Sequence, residues 1–239
     1  MQRGLYASAT GMNGAQQLLD VIAHNLANVS TNGYKREGAV FSDTLRRAMF
    51  ADDGRFIGQL GSGAWMQDHF TVMEVGEIKV TGNPLDVAIA QPKGFFAVQS
   101  PGGTRYTRDG SFTINAQREL TTNNGLLVLD TGGREITLPD GKVEIDGSGN
   151  VSVSGLLVST IGVYDGRVTK LGDGLYEGTA MQVMDAPILQ SGAVEGSNVN
   201  AIEEMIAMIQ LNRIYEMAQR GALSQDEMTQ KLLQSIQGR

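Results

Sequence analysis

Apolar residues recur every seven positions near the start of this chain. One position of the repeat is held by Leu5, Met12, Leu19 and Leu26, and the position three residues later by Ser8, Ala15, Ile22 and Val29. Such a heptad seam is typical of a helix that packs against another helix. We therefore predict a helix over about residues 4–28, ended by the Asn32-Gly33 turn, and we expect it to need a helical partner.

The other end of the chain supplies a second helical pattern, from about residue 200 onward. Asn200 and Glu203 have the spacing of a capping box at its start. One apolar stripe follows a three-four alternation and comprises Met208, Leu211, Tyr215, Ala218, Ala222, Leu232 and Ile236. A second stripe comprises Ile202, Met205, Ile206 and Ile209. Because one partner cannot cover both stripes, we expect this helix to contact the N-terminal helix and also a neighbouring subunit.

Short strands separated by turn signals are predicted between the two helices, over about residues 64–189. Asn124-Gly125, Gly147-Ser148-Gly149 and Asp165-Gly166 each have the composition of a hairpin turn. Residues 34–49 are predicted to be extended and then briefly helical, and the glycine-rich residues 52–63 are predicted to form a flexible connector.

These patterns together predict an α+β fold class. The long N- and C-terminal helices are expected to pair as a coiled coil, with a central, mostly antiparallel β domain of sandwich-like or barrel-like form. The predicted division is an N-terminal assembly helix (1–33), a connector (34–63), a β domain (64–192) and a C-terminal assembly helix (193–239).

Composition excludes several classes of function. The chain of 239 residues has no cysteine, so disulfides, thiolate metal sites and cysteine nucleophiles are ruled out. Its net charge of −7 argues against a nucleic-acid partner, which requires a clustered basic surface. No apolar run approaches the roughly 18–20 residues of a membrane-spanning helix, so direct membrane insertion is not expected.

Candidate catalytic and ligand-binding residues are few. His24 and His69 lie in different segments, and Glu203 and Glu204 favour the helix N-terminus electrostatically rather than forming an acid–base pair. Asp146, Ser148 and Asn150 alternate as in a calcium loop, but no bidentate acid follows at the twelfth position, so we predict a hairpin turn. We accordingly predict no catalytic residues, no metal ligands and no cofactor.

Three segments carry a family resemblance. Residues 19–35 read LDVIAHNLANVSTNGYK, residues 85–89, 94–98 and 106–112 read LDVAI, GFFAV and YTRDGSF, and residues 196–200 and 204–209 read GSNVN and EMIAMI. They closely resemble, in turn, the N-terminal signature, the central domain and the closing helix of the bacterial flagellar rod, hook and axial proteins. Residues 164–190 match that family poorly.

The resemblance implies a structural subunit of the flagellar basal-body rod, without enzymatic activity. In that family the chain polymerises through its terminal helices into the drive shaft that spans the periplasm and transmits torque to the hook. The implied partners are other rod subunits, hook-side axial proteins and the flagellar type III export apparatus. Within the family the chain looks most similar to the proximal-rod FlgF type, with the distal-rod FlgG type as the alternative.

The predicted assembly interface combines both helical patterns. It comprises Leu5, Met12, Ala15, Leu19, Ile22, Leu26 and Asn28 near the N-terminus, and Ile202, Met205, Ile209, Leu211, Tyr215, Ala218 and Leu232 near the C-terminus. Two other classes of protein remain as alternatives: a secreted enzyme whose β domain stands on a helical stalk, or an adhesin built in the same way. The enzyme would need a carboxylate pair or a histidine cluster in a β-domain cleft.

Overall fold

Two helices enclose a β-rich middle along the chain. The computed structural model describes residues 2–43, 47–50, 56–60 and 64–237. Helix α1 (Gln2–Ala27) and helix α2 (Ala201–Gln237) are the terminal elements. Between α1 and the larger β region lie four strands: β1 (Glu37–Asp43), β2 (Arg47–Phe50), β3 (Phe56–Leu60) and β4 (Ala64–Thr71). None of the described helices has an apolar stretch long enough to cross a membrane.

The remaining strands are short and follow one another closely. They are β5 (Ile78–Val80), β6 (Val87–Ile89), β7 (Phe95–Ser100), β8 (Gly103–Thr107), β9 (Phe112–Ile114), β10 (Leu120–Thr122), β11 (Leu127–Val128), β12 (Val143–Ile145), β13 (Asn150–Val153), β14 (Leu156–Thr160), β15 (Val163–Gly172), β16 (Leu175–Val183), β17 (Leu189–Ser191) and β18 (Ala193–Glu195).

The chain divides into two compact units. The first comprises Met1–Ala27, Glu37–Phe70 and Asn200–Arg239, and the second comprises Asn28–Arg36 and Thr71–Val199. The second unit therefore includes short segments that flank the β region in sequence on both sides. The linear division at residues 33, 63 and 192 stays a prediction.

In the first unit, α1 contacts both α2 and β1. Strand β1 pairs with β4, and β2 pairs antiparallel with β3. The brief helix predicted before residue 49 is wrong in the described residues, because Arg47–Phe50 form β2. Of the predicted flexible connector, Phe56–Leu60 form strand β3, and residues 52–55 and 61–63 lie outside the described part of the chain.

The second unit is built from antiparallel pairs. Its largest sheet has the strand order β15-β16-β8-β7-β11-β10-β9, and β15 also pairs with β7, so that β7, β8, β16 and β15 close a ring of pairings. A second sheet has the order β12-β13-β14, while β17 pairs with β6 and β18 with β5. The core of this unit is a cluster of buried apolar side chains from both sheets and their connections, including Ile89, Phe96, Phe112, Leu120, Val128, Val151 and Ile161.

The coiled-coil pairing in the predicted fold class is wrong. A coiled coil would bury both seam positions of α1 against the partner helix. In the structure Met12, Leu19 and Leu26 are only half-buried, and Val29 follows the end of the helix. The buried positions in the C-terminal half of α1 are Ala15, Val21, Ile22 and Asn25, of which Val21 and Asn25 lie outside the seam. The chain is α+β, but α1 packs against a strand as well as against α2.

Predicted turns had mixed outcomes. Asn124-Gly125 joins β10 to β11, and Gly147-Ser148-Gly149 joins β12 to β13, both as predicted. Asp165-Gly166 is not a hairpin turn, because it lies inside β15 at a register shift between Asp165 and Arg167. The long β15–β16 hairpin instead turns at Asp173-Gly174 and occupies the segment that resembles the family poorly.

Asp130 organises the turn that follows β11. One carboxylate oxygen accepts the backbone N–H groups of Gly132 at 2.7 Å and Arg134 at 2.8 Å, and the other accepts the Arg134 guanidinium at 3.0 Å. Burial of the carboxyl acts to raise its pKa. The hydrogen bonds from Arg134 and Gly132 outweigh burial and hold the pKa of Asp130 below its ordinary value.

This arrangement predicts a pH-dependent contribution to stability. A carboxyl whose folded pKa is depressed stabilises the fold above its unfolded pKa, and that stabilisation is lost as the pH falls through the folded value. We expect Asp130→Asn to lower the free energy of unfolding by about 1–2 kcal/mol at pH 7. The difference from the unmodified chain should shrink below about pH 4. Urea unfolding of both proteins across this range is the measurement, and a difference independent of pH would contradict the assignment.

Candidate functional site

The predicted assembly residues of α1 lie in different environments. Ala15 and Ile22 are buried, and Met12, Leu19 and Leu26 are half-buried. Asn28 follows the end of α1 and accepts a hydrogen bond from the Thr31 hydroxyl at 3.1 Å. The side chain of Leu5 lies outside the described part of the chain.

Helix α2 carries its two apolar stripes on opposite faces, because helical positions advance by about 100° per residue. The stripe that includes Leu211, Tyr215 and Ala218 is half-buried in the first unit, where α2 contacts α1. The other stripe remains open to solvent, with Ile202 65%, Met205 45%, Ile206 51% and Ile209 54% exposed. The side chain of Leu232 lies outside the description.

The start of α2 is capped as its sequence predicts. The Asn200 side-chain oxygen accepts the Ile202 backbone N–H at 3.1 Å, and the Asn200 amide donates to the Glu203 carboxylate at 3.0 Å. The cap satisfies a backbone N–H group of the first helical turn, which has no carbonyl partner within the helix. It thereby stabilises the helical conformation of the turn in which the exposed stripe begins.

Asn25 is a structural residue that sequence reasoning missed. It is buried near the end of α1, where its amide donates to the Glu37 backbone carbonyl at 2.9 Å and its side-chain oxygen accepts the Glu37 backbone N–H at 2.9 Å. The Asn25 side chain thus forms with Glu37 of β1 the same pair of hydrogen bonds that a residue of a paired strand would form. A buried asparagine beside a helix end is a detectable signal, but its partner cannot be identified from the helical pattern.

Both histidines line one cavity in the first unit. The cavity measures about 450 Å³ and is lined by Gln17, Asp20, Val21, His24, Glu37 and His69. His24 Nδ1 lies 3.6 Å from a Glu37 carboxylate oxygen. Although the two histidines are distant in sequence, the fold brings them together. No cluster of metal-ligating side chains is found among the residues that the structure describes.

The second unit contains a buried ion triad, which we define as Lys35, Arg108 and Glu195. All three side chains are fully buried. Lys35 Nζ lies 2.5 Å from one Glu195 carboxylate oxygen, and Arg108 Nη1 lies 3.3 Å from the other. Two cations against one carboxylate leave this buried site with a net charge of +1.

Backbone groups complete the triad. The Lys35 ammonium donates to the Glu74 carbonyl at 2.7 Å, and the Arg108 guanidinium donates to the carbonyls of Gln91, at 2.9 Å, and Pro92. The partial negative charge of these carbonyls offsets the excess positive charge. Burial lowers the pKa of both Lys35 and Arg108 below their ordinary values, and Glu195 acts in the opposite direction in each case.

Asn198 connects the same segments through main-chain contacts. Its side-chain oxygen accepts the Arg36 backbone N–H at 2.7 Å, and its amide donates to the carbonyls of Val72 at 2.9 Å and Glu74 at 3.1 Å. The residues that follow α1 in sequence and those that precede α2 are therefore both integral parts of the second unit.

Three family models match successive parts of the chain. Residues 5–35 match the model described as "Flagella basal body rod protein", residues 88–153 match "Flagellar hook protein FlgE/F/G D1 domain", and residues 190–235 match "Flagellar basal body rod FlgEFG protein C-terminal". A FlgG basal-body rod protein of Buchnera aphidicola subsp. Schizaphis graminum is 36% identical over 96% of this chain and 98% of its own length. The chain belongs to the flagellar basal-body rod protein family. It is a structural subunit of the basal body and not an enzyme, as the sequence predicts.

Rod proteins of the FlgF and FlgG types are about equally similar to this chain. FlgF of Caulobacter vibrioides is 34% identical over 90% of this chain and 90% of its own length. FlgG of the same organism is 31% identical over 95% of this chain and 97% of its own length. The predicted preference for the FlgF type is not supported, because the two types are about equally similar. Membership of the rod family implies association with other basal-body components.

The family matches give the buried triad a further property. Lys35 lies in the matched N-terminal segment, Arg108 in the matched central segment and Glu195 in the matched C-terminal segment. Each of the three separately recognised parts of a rod protein thus contributes one charge to a single buried site.

Proposed function

We propose that this rod subunit joins its neighbours through its terminal helices, and that the exposed stripe of α2 is covered by an adjoining subunit. The observation that carries the proposal is the contiguous exposure of Ile202, Met205, Ile206 and Ile209 on the face of α2 opposite its half-buried stripe. An exposed contiguous apolar surface of this kind marks an interaction site.

Burial energy supports this role. Removing a half-exposed Ile or Met side chain from water stabilises by roughly 1–2 kcal/mol, so several such residues on one face could hold a repeated contact. The partners are other rod subunits and hook-side axial proteins, the assembled rod transmits torque, and the chain reaches it through the flagellar type III export apparatus. These finer assignments rest on the family resemblance.

We expect Ile206→Glu to prevent rod assembly while leaving the isolated subunit folded. Ile206 is half-exposed, so the charge stays in water in the free subunit but would be buried without a partner in the assembled rod. The test is expression of the variant in cells that lack the native copy, followed by electron microscopy of isolated basal bodies and a swimming assay. Circular dichroism of the purified subunit measures its fold.

Gln219→Glu is the matched control, because Gln219 is exposed on α2 but lies off the stripe. This variant should assemble normally. Rods of normal length from the Ile206→Glu variant would overturn the proposal. A lowered unfolding temperature of the isolated Ile206→Glu subunit would instead show that Ile206 has a role within the chain.

A further inference from the structure

The buried ion triad joins parts of the second unit that are far apart in sequence. Lys35 and Glu195 are separated by 160 positions, and Arg108 and Glu195 by 87. Two backbone groups also bind Glu195. The Gly33 N–H donates to the Glu195 carbonyl at 2.7 Å, and the Gly76 N–H donates to the Glu195 carboxylate at 3.0 Å. Glu195 is therefore the residue on which all of these contacts converge.

The segment around Glu195 lies between two others. Strand β18 pairs with β5, and the Gly196 N–H donates to the Glu77 carbonyl at 2.8 Å. On its other side, Gly33 bonds to Glu195 and Arg36 bonds to Asn198. Residues 33–36 and residues 193–198 thus bind each other through both backbone and side-chain groups. Displacing either segment would separate Lys35 from Glu195 and leave a buried charge without its partner.

Charge balance makes the three members unequal. Neutralising Glu195 would leave two buried cations without the carboxylate that contacts both of them, whereas neutralising Lys35 or Arg108 would leave one cation paired with one carboxylate. Because a buried charge without a counter-charge is far more costly than a buried pair, the two kinds of change should differ strongly. The Arg108 guanidinium also lies 5.1 Å from the centre of the Phe95 ring, a cation–π contact that supplies no counter-charge.

We propose that Glu195 is an electrostatic latch that makes residues 33–36 and residues 193–198 open and close as one unit. Residues 33–36 stay docked only while residues 193–198 are docked, and residues 193–198 stay docked only while residues 33–36 are docked. The device is a property of the second unit and is independent of how subunits contact one another.

Hydrogen–deuterium exchange of the full-length subunit tests the latch. In Glu195→Gln, backbone amides in both segments should exchange at least about 100-fold faster, because Lys35 and Arg108 both lose the carboxylate that they contact. Lys35→Met and Arg108→Met should each accelerate both segments by about 10-fold, since they leave a neutral pair. Arg105→Met, which removes a partly exposed ion pair with Glu177 in the same unit, is the control and should leave both segments unchanged.

The double variant Glu195→Gln with Lys35→Met distinguishes a charge latch from ordinary packing. Its site holds one cation instead of two, so exchange in both segments should be slower than in Glu195→Gln alone. If Glu195→Gln does not fold, the double variant should recover folding. If the three side chains contributed only independent packing, exchange in the double variant would be faster than in either single variant, and that result would overturn the proposal. Faster exchange in only one of the two segments would overturn it as well.

Discussion

Replacing Gly33 with alanine is expected to destabilise the second unit by about 2–5 kcal/mol. Gly33 has φ +66°, a left-handed conformation that an L side chain adopts at a cost. A Cβ at this position would lie 2.5 Å from the Arg108 carbonyl carbon and 2.6 Å from the Asp109 nitrogen. Both are main-chain atoms beside the buried triad, so neither can move aside as a flexible side chain could.

Gly125→Ala separates the two causes of that destabilisation. Gly125 has φ +79°, but nothing lies within 4 Å of the position that a Cβ would take. This variant should lose only the conformational part, about 1–2 kcal/mol. Urea unfolding of the two variants at neutral pH is the measurement. Equal losses would show that the close approach of Arg108 and Asp109 to Gly33 has no energetic consequence.

Asn25→Leu is expected to destabilise the first unit by about 2–4 kcal/mol. Leucine has a similar volume, but it leaves both the Glu37 carbonyl and the Glu37 N–H without the partner that Asn25 supplies at 2.9 Å. A buried backbone group deprived of its hydrogen bond costs about 1–3 kcal/mol. Loss of this contact should therefore free β1 from the end of α1.

Asn13→Leu is the corresponding control, since Asn13 is exposed on the same helix. Its effect should stay within about 0.5 kcal/mol. Unfolding followed by circular dichroism measures both variants, and hydrogen exchange in β1 locates the change. Unaltered protection of β1 in Asn25→Leu would contradict the assigned role, whatever the change in overall stability.

Elements with a strong local pattern were predicted correctly from the sequence. The Asn200 cap and the turns at Asn124-Gly125 and Gly147–Gly149 depend on neighbouring residues only. The turn predicted at Asp165-Gly166 was wrong because this dipeptide also occurs at irregular positions within a strand. The pairing of β15 with β16 determines that it lies at such a position and not in a hairpin turn. The coiled coil was wrong for a similar reason, since a heptad pattern does not show that part of α1 packs against β1.

The candidate site was only partly visible in the sequence. The exposed stripe at Ile202, Met205 and Ile209 could be predicted because its helical spacing is a property of one segment. Lys35 and Arg108 lay within motifs that carry the family resemblance, yet nothing in those motifs identifies Glu195 as their shared counter-charge. Asn25 was missed in the same way, because its partner is the main chain of a different element.

The sequence by itself determined that the ends are helical, that the middle is β-structure and that the chain is a flagellar rod protein. These properties follow from residue patterns within single segments. Only the tertiary structure decided which face of α2 stays exposed and that Lys35, Arg108 and Glu195 form one buried site. The physical reason is that burial and charge pairing depend on distances in space, and a contact across 160 positions has no local pattern to predict it.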